Sequence, residues 1–157
     1  MATTAASLTS SSGSESGLKL KNLTIDDVED LVFLPKQALH QLQGIDIRDP
    51  KLVSTDRLEQ VFTTSLSSVP ALLFHGCRSL KPISKGLKHL TTLKILVLVN
   101  CPELQLLSSI EQPAEDEIGI WEAMKGLHLL LLEDIPKLVV LPTGLQQLTN
   151  LQTLLIN

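Results

Sequence analysis

Leu93-Lys94-Ile95-Leu96-Val97-Leu98-Val99-Asn100-Cys101-Pro102-Glu103-Leu104 carries leucine at its first, fourth, sixth and twelfth residues. Alternate residues of a strand point the same way, so Leu96 and Leu98 share one face while Ile95, Val97 and Val99 take the other. Leu93 enters from the approach to the strand, and Leu104 turns back inward once the chain has bent. Asn100-Cys101-Pro102 is a turn sequence, which ends the strand near residue 98. Four inward residues on so short a segment cannot enclose a core of their own. They need neighbours of the same kind.

Those neighbours are present on both sides. The pattern L-x-x-L-x-L, with a further apolar residue about six positions on, reads as Leu20-Leu23-Ile25-Leu31, Leu42-Ile45-Ile47-Leu52 and Val69-Leu72-Phe74-Leu80 before the quoted stretch. After it come Leu127-Leu130-Leu132-Leu138 and Leu151-Leu154-Ile156. The first positions are 22, 27, 24, 34 and 24 residues apart. A period in the twenties with this internal spacing is the leucine-rich repeat signature. The expected fold is therefore α/β: a leucine-rich-repeat solenoid with a single curved parallel sheet of about six strands and an irregular, short-helical convex side. Strands are expected at 22–25, 45–48, 71–74, 95–98, 129–132 and 153–156.

Residues 1–17, rich in Ser, Thr, Ala and Gly, are expected to be a disordered leader, and 18–157 to form the repeat domain. Among the return segments, 34–42 reads as a short helix. Residues 56–62 read as another, with Asp56 as its N-cap and Glu59 at the third helical position. The acidic run Glu111-Gln112-Pro113-Ala114-Glu115-Asp116-Glu117 accounts for the longest spacing and reads as a loop bulging from the array. Trp121 and Met124 then supply an apolar plug that closes the loop back. No polar capping repeat follows the last strand at Asn157 and none precedes Leu18, so the domain is expected to be truncated or uncapped, a portion of something longer.

Composition narrows the function. Net charge is −4 and Lys and Arg are scattered, which disfavours nucleic acid and anionic membrane as partners. The longest apolar stretch, around 127–141, is broken by Glu133, Asp134, Pro136 and Lys137, so no membrane-spanning helix is expected. The start lacks the basic and apolar regions of a secretory signal, and a cytoplasmic location follows. Two cysteines, Cys77 and Cys101, occupy equivalent places after consecutive strands. They read as small buried thiols, with a disulfide between neighbouring strands about 4.8 Å apart as the alternative. His40, His75, His89 and His128 are too far apart in sequence to suggest a metal set. No local catalytic signature accompanies the Ser, His and acidic residues. The expectation is a binding module, not an enzyme, without cofactor or metal.

The wording of the repeats carries a resemblance. Residues 93–104 resemble the strand-and-turn unit of plant intracellular immune receptors, the nucleotide-binding, leucine-rich-repeat disease resistance proteins of the coiled-coil subclass. Leu138-Val139-Val140-Leu141-Pro142-Thr143-Gly144-Leu145-Gln146-Gln147-Leu148-Thr149-Asn150-Leu151-Gln152-Thr153-Leu154 is similar to that family's L-x-x-L-P-x-G-L-x-x-L-T-x-L-x-x-L phrase, and Ile83 to Leu93 repeats it without the proline. The resemblance implies recognition of a pathogen-derived protein, or of another domain of a parent receptor, in a defence response. It does not extend to nucleotide switching, because the chain has no G-x-x-x-x-G-K-[ST] phosphate loop. The alternatives are a cytosolic scaffold or adaptor, such as a ubiquitin-ligase substrate receptor, and an inactive receptor fragment.

A binding surface follows from the strand alternation. The residue between the two inward ones is, in order, Thr24, Asp46, Leu73, Val97, Leu131 and Leu155, a column that runs from polar to apolar. Neighbouring columns add Ile95, Val99 and Leu129 on the apolar side, and Lys21, Asp26, Asp27, Arg48 and Asp49 on the polar side. The expected protein-binding residues are Leu73, Ile95, Val97, Leu129, Leu131 and Leu155 on the concave face.

Overall fold

The structure is a computed structural model; it describes residues 19–48, 51, 55–64, 66–80, 84–104 and 115–157. Six strands, β1 (Asn22–Ile25), β2 (Gly44–Ile47), β3 (Ala71–His75), β4 (Ile95–Val99), β5 (Leu129–Glu133) and β6 (Thr153–Ile156), form one sheet in the order of the chain. Every neighbouring pair is parallel. Between them run short α-helices: α1 (Lys36–His40), α2 (Thr55–Thr64), α3 (Ser84–Leu87) and α4 (Glu115–Ala123). Residues Val28–Phe33 and Thr143–Gln147 are 3₁₀-helical. The chain is thus α/β, and each repeat adds one strand beside the last.

Register follows from the leucines. Leu72, Leu96, Leu130 and Leu154 are paired across β3 to β6, as are Phe74, Leu98, Leu132 and Ile156. In β3, β4 and β5 these residues are at most 2% exposed. Burying each contributes about 1.5–3 kcal/mol relative to leaving it in water. The residues placed before and after the strand pair join the same core: Leu42, Val69, Leu93 and Leu127 on entry, and Leu31, Leu80 and Leu104 on exit. Leu52, the exit residue of the second repeat, and the leader 1–17 lie outside the described residues.

A left-handed residue ends each of the three central strands. Gly76, Asn100 and Asp134 have φ of 65°, 53° and 52°. Glycine adopts this region without steric cost, and Asn and Asp tolerate it better than other side chains. Their N–H groups remain in the ladder, donating to Val99 O, Glu133 O and Asn157 O. The next residue, Cys77, Cys101 or Ile135, drops into the core, and its carbonyl accepts from the N–H three residues on, at Leu80, Leu104 or Leu138. Both cysteines are fully buried and neither is in a disulfide. Cys77 Sγ lies 3.5 Å from Ile47 O and Cys101 Sγ 3.4 Å from Val99 O, so each thiol donates to a strand carbonyl. When Cys101 ionises, the Cys77 thiol can turn from Ile47 O to donate to it, which pulls Cys101 below the usual thiol range against the opposing effect of burial.

Several element boundaries differ from the sequence reading: β3, β4 and β5 each run one residue further than expected, and the helix expected at 34–42 is confined to Lys36–His40. Strand β2 begins at Gly44 and ends at Ile47, one residue earlier than expected, because the chain leaves the ladder once Arg48 N has donated to Ile25 O. Helix α2 begins at Thr55, so Asp56 stands inside its first turn and not at the cap. Residues 115–117 of the acidic run belong to α4 instead of a loop, while 111–114 lie outside the described residues. Trp121 and Met124, on and just after α4, are buried in the core, as the plug reading required.

Adjacent repeats are also tied by side chains. Thr92 Oγ1 donates to Ser67 O at 2.9 Å, and Asn150 Nδ2 donates to Lys125 O at 2.9 Å. Each donor immediately precedes the entry leucine of its repeat, and each acceptor lies two residues before the entry residue of the previous one. Between β4 and β5 the donor position is Gly126, which has no side chain to give. A Cβ there would sit 3.9 Å from Thr91 O, the equivalent acceptor, and Gly126 has no positive φ. Gly126→Asn is therefore expected to complete the series. Adding the hydrogen bond and restricting the unfolded chain should stabilise by about 1 kcal/mol, raising the thermal midpoint by about 2–4 °C. A calorimetric midpoint at or below that of the parent would refute the equivalence.

Candidate interaction face

Each strand places its odd-numbered or even-numbered residues on the sheet face opposite the core, according to where its leucines fall. On that outer face, Thr24 pairs with Asp46, Asp46 with Leu73, Leu73 with Val97, Val97 with Leu131, and Leu131 with Leu155. The column predicted from sequence is thus one unbroken row across all six strands. A second row pairs Ala71 with Ile95, Ile95 with Leu129, and Leu129 with Thr153. The structure brings the six expected residues Leu73, Ile95, Val97, Leu129, Leu131 and Leu155 together on four adjacent strands. Ile95 and Leu155 are exposed, at 37% and 46%, and the other four are partly exposed. Neighbouring strands lie about 4.8 Å apart, so these side chains form a continuous apolar surface.

The polar end of the row has its own internal order. Asp46 accepts from Arg48 Nε and Nη2 through one carboxylate oxygen, at 2.9 and 2.8 Å. Its other oxygen lies 2.7 Å from His75 Nδ1. Asp46 is paired with Leu73, so His75 is its diagonal neighbour on β3, within reach of a long side chain. The hydrogen bond from Arg48 to Asp46, followed by the attraction of the Asp46 charge, holds the guanidinium above its ordinary pKa. Both oxygens of Asp46 are occupied, and the trio forms a fixed polar border to the apolar surface. On the third row His75 pairs with Val99, and Val99 with Glu133. Sequence reasoning placed Asp46 and Arg48 on this face but did not assign His75 to it, and missed the connection. The diagonal offset carries that signal and is visible only once β2 and β3 are in register.

The other polar residues expected on the face are divided. Lys21 and Asp26 are exposed beside β1; Asp27 caps the following 3₁₀ turn by accepting from Glu29 N at 2.8 Å. Asp49 lies outside the described residues. Among the described residues, no group of three or more His, Cys, Asp or Glu could hold a metal ion, and no helix is long and apolar enough to cross a membrane. A recess on the return side is lined by Gly119, Glu122, Ala123, Lys125, Gln147 and Thr149. Comparisons of the chain with protein-family models, with curated proteins and with solved structures found no match.

Proposed function

We propose that the chain is a leucine-rich-repeat solenoid that recognises a protein through the outer face of its sheet. In this reading it acts inside the cell, in defence, as the repeat region of the plant immune receptors it resembles would. It is a binding module without catalysis, nucleotide, cofactor or metal. Its partner is a pathogen-derived protein or another domain of a receptor.

One observation carries the reading: four apolar residues from four strands, Leu73, Val97, Leu131 and Leu155, stand in one register on the face turned away from the core. Contiguous apolar surface on a sheet is covered by a partner more often than it is left in water. Covering it contributes roughly 25 cal/mol per Å² removed from solvent. The Asp46, Arg48 and His75 border supplies the polar rim that such interfaces have.

Selection of ligands for the chain from a protein-display library tests the face. Val97→Glu and Leu131→Glu are expected to weaken the selected ligands by about tenfold or more each, with the far-ultraviolet dichroism and thermal midpoint of the chain retained. Ligands that bind both variants as tightly as the parent would rule this face out. Unfolding of both variants would place the two residues in the core instead. The cellular role has a separate test in the gene. An in-frame phosphate-loop domain upstream supports the receptor reading, and an F-box there overturns it in favour of an adaptor.

A further inference from the structure

We propose that Cys77 and Cys101 are a redox couple, a thiol pair that closes into a reversible disulfide between consecutive repeats. The inference stands on the core side of the chain and holds whatever the outer face binds.

The fold brings the two sulfurs together by repeating one backbone path. Each cysteine follows a left-handed residue, Gly76 or Asn100, whose N–H donates to the next coil, at Val99 O or Glu133 O. The carbonyl of each cysteine accepts from the N–H three residues on, at 3.2 Å from Leu80 and 3.1 Å from Leu104. His75 and Val99, two residues before the cysteines, are paired in the ladder. The two turns are therefore stacked copies, one strand spacing of about 4.8 Å apart. Disulfides span Cα separations of about 4.4–6.8 Å, so a bridge asks for rotation of two side chains and no refolding. The chain has two cysteines in all, and the fold stacks one directly on the other.

Both thiols are 0% exposed, but each lies beneath a single turn whose Arg78, Asn100 and Glu103 are exposed. The oxidant that suits such a site is small, a hydroperoxide. Donation from the Cys77 thiol favours the Cys101 thiolate, so Cys101 is the attacking sulfur. An S–O bond forms as the O–O bond of hydrogen peroxide breaks. Cys101 becomes a sulfenic acid, and the departing hydroxide takes up the proton that Cys101 released. The Cys77 sulfur then attacks Cys101 Sγ. The S–O bond breaks, and the hydroxyl leaves as water with the Cys77 proton. Two thiols and one peroxide give one disulfide and two waters, and two electrons pass from sulfur to oxygen.

The bridge is poised to reopen. Its formation removes thiol donation to Ile47 O and Val99 O, at 3.5 and 3.4 Å, both weak bonds. Stacked cysteines have parallel Cα–Cβ bonds, so their Cβ atoms also lie near one strand spacing, outside the about 3.5–4.5 Å of a relaxed bridge. Strain of this kind makes a disulfide readily reducible, as regulatory ones are. Closing a ring from 77 to 101 opposes the strain, since by itself it favours the folded chain by on the order of several hundredfold. The net expectation is about tenfold. The ring holds α3, Leu93 and the whole of β4, so the bond fastens the β4 coil to the β3 coil.

Hydrogen peroxide treatment of the folded chain, then unfolding in an alkylating agent and mass spectrometry, tests the bond. The expected product is a single chain two hydrogens lighter and unalkylated, with the peptides of Cys77 and Cys101 joined and dithiothreitol restoring both thiols. Equilibration in mixtures of reduced and oxidised dithiothreitol should favour the bridge about tenfold more in the folded chain than in urea. The bridged chain should melt about 3–6 °C above the thiol form. Thiols that stay unmodified, or that give only sulfinic acid or bridges between molecules, overturn the proposal. So does a bridge that is no more favoured in the folded chain than in urea.

Discussion

Gly144→Ala is expected to destabilise the chain by about 3 kcal/mol, the upper end for overpacking a tight interior, and to lower the thermal midpoint by about 6–12 °C. A Cβ on Gly144 would collide with Trp121 Cδ1 and lie 2.7 Å from its Cγ. No real contact is that short, so the indole or the 3₁₀ turn at Thr143–Gln147 must shift. Neither can shift freely. Trp121 is 3% exposed within the core, and Gly144 is itself buried. The contact joins α4 to the turn that leads into β6, so the strain falls on the last two repeats. Gly119 is the internal control: it lies on the same helix, and nothing is within 4 Å of its would-be Cβ. Gly119→Ala should keep the parent midpoint or raise it slightly. Equal midpoints for Gly144→Ala and the parent would mean that Trp121 is not seated where the structure places it.

Phe74→Ala is expected to cost about 3–5 kcal/mol, the range for emptying a buried aromatic site. Phe74 is fully buried in β3 at the middle of the sheet, and its ring meets that of Phe62 on α2 edge to face, with centroids 6.4 Å apart and planes at 74°. That geometry adds about 0.5–1.5 kcal/mol beyond area burial. The array has few such large side chains, with three Phe, one Trp and no Tyr among 157 residues. Apart from Phe62 itself, no aromatic ring meets Phe74 among the described residues. Urea unfolding of Phe74→Ala, Phe62→Ala and the double variant should show a coupling of that size between the two rings. Strict additivity would remove the ring contact from the account.

The strands were legible because their chemistry repeats at fixed phase. Alternation puts Leu96 and Leu98 inward and Val97 outward whatever happens elsewhere, and the same phase recurs at Leu130, Leu131 and Leu132. The sheet order needed nothing further, since repeats of that length can only lay each strand beside the one before. The return segments resisted for the opposite reason. They vary in length, so no phase relates one to the next, and nothing in the repeat spacing marks where α2 or α4 begins. The contact between Trp121 and Gly144 joins two such segments, so neither residue type nor spacing announces it. The link from Asp46 to His75 lies between these cases. Asp46 was assigned to this face from the strand alternation, but only the residue pairing of β2 with β3 shows that it meets His75.

The strict two-sidedness of the strands has a consequence for how such a protein can change over generations. If the outer face binds as proposed, substitutions at Leu73, Val97 or Leu131 alter what it can hold without disturbing Leu72, Leu96 or Leu130 behind them, which are buried in the core. On that reading affinity and foldability reside in interleaved but separate sets of positions, and a lineage can explore new targets while its scaffold stays the same.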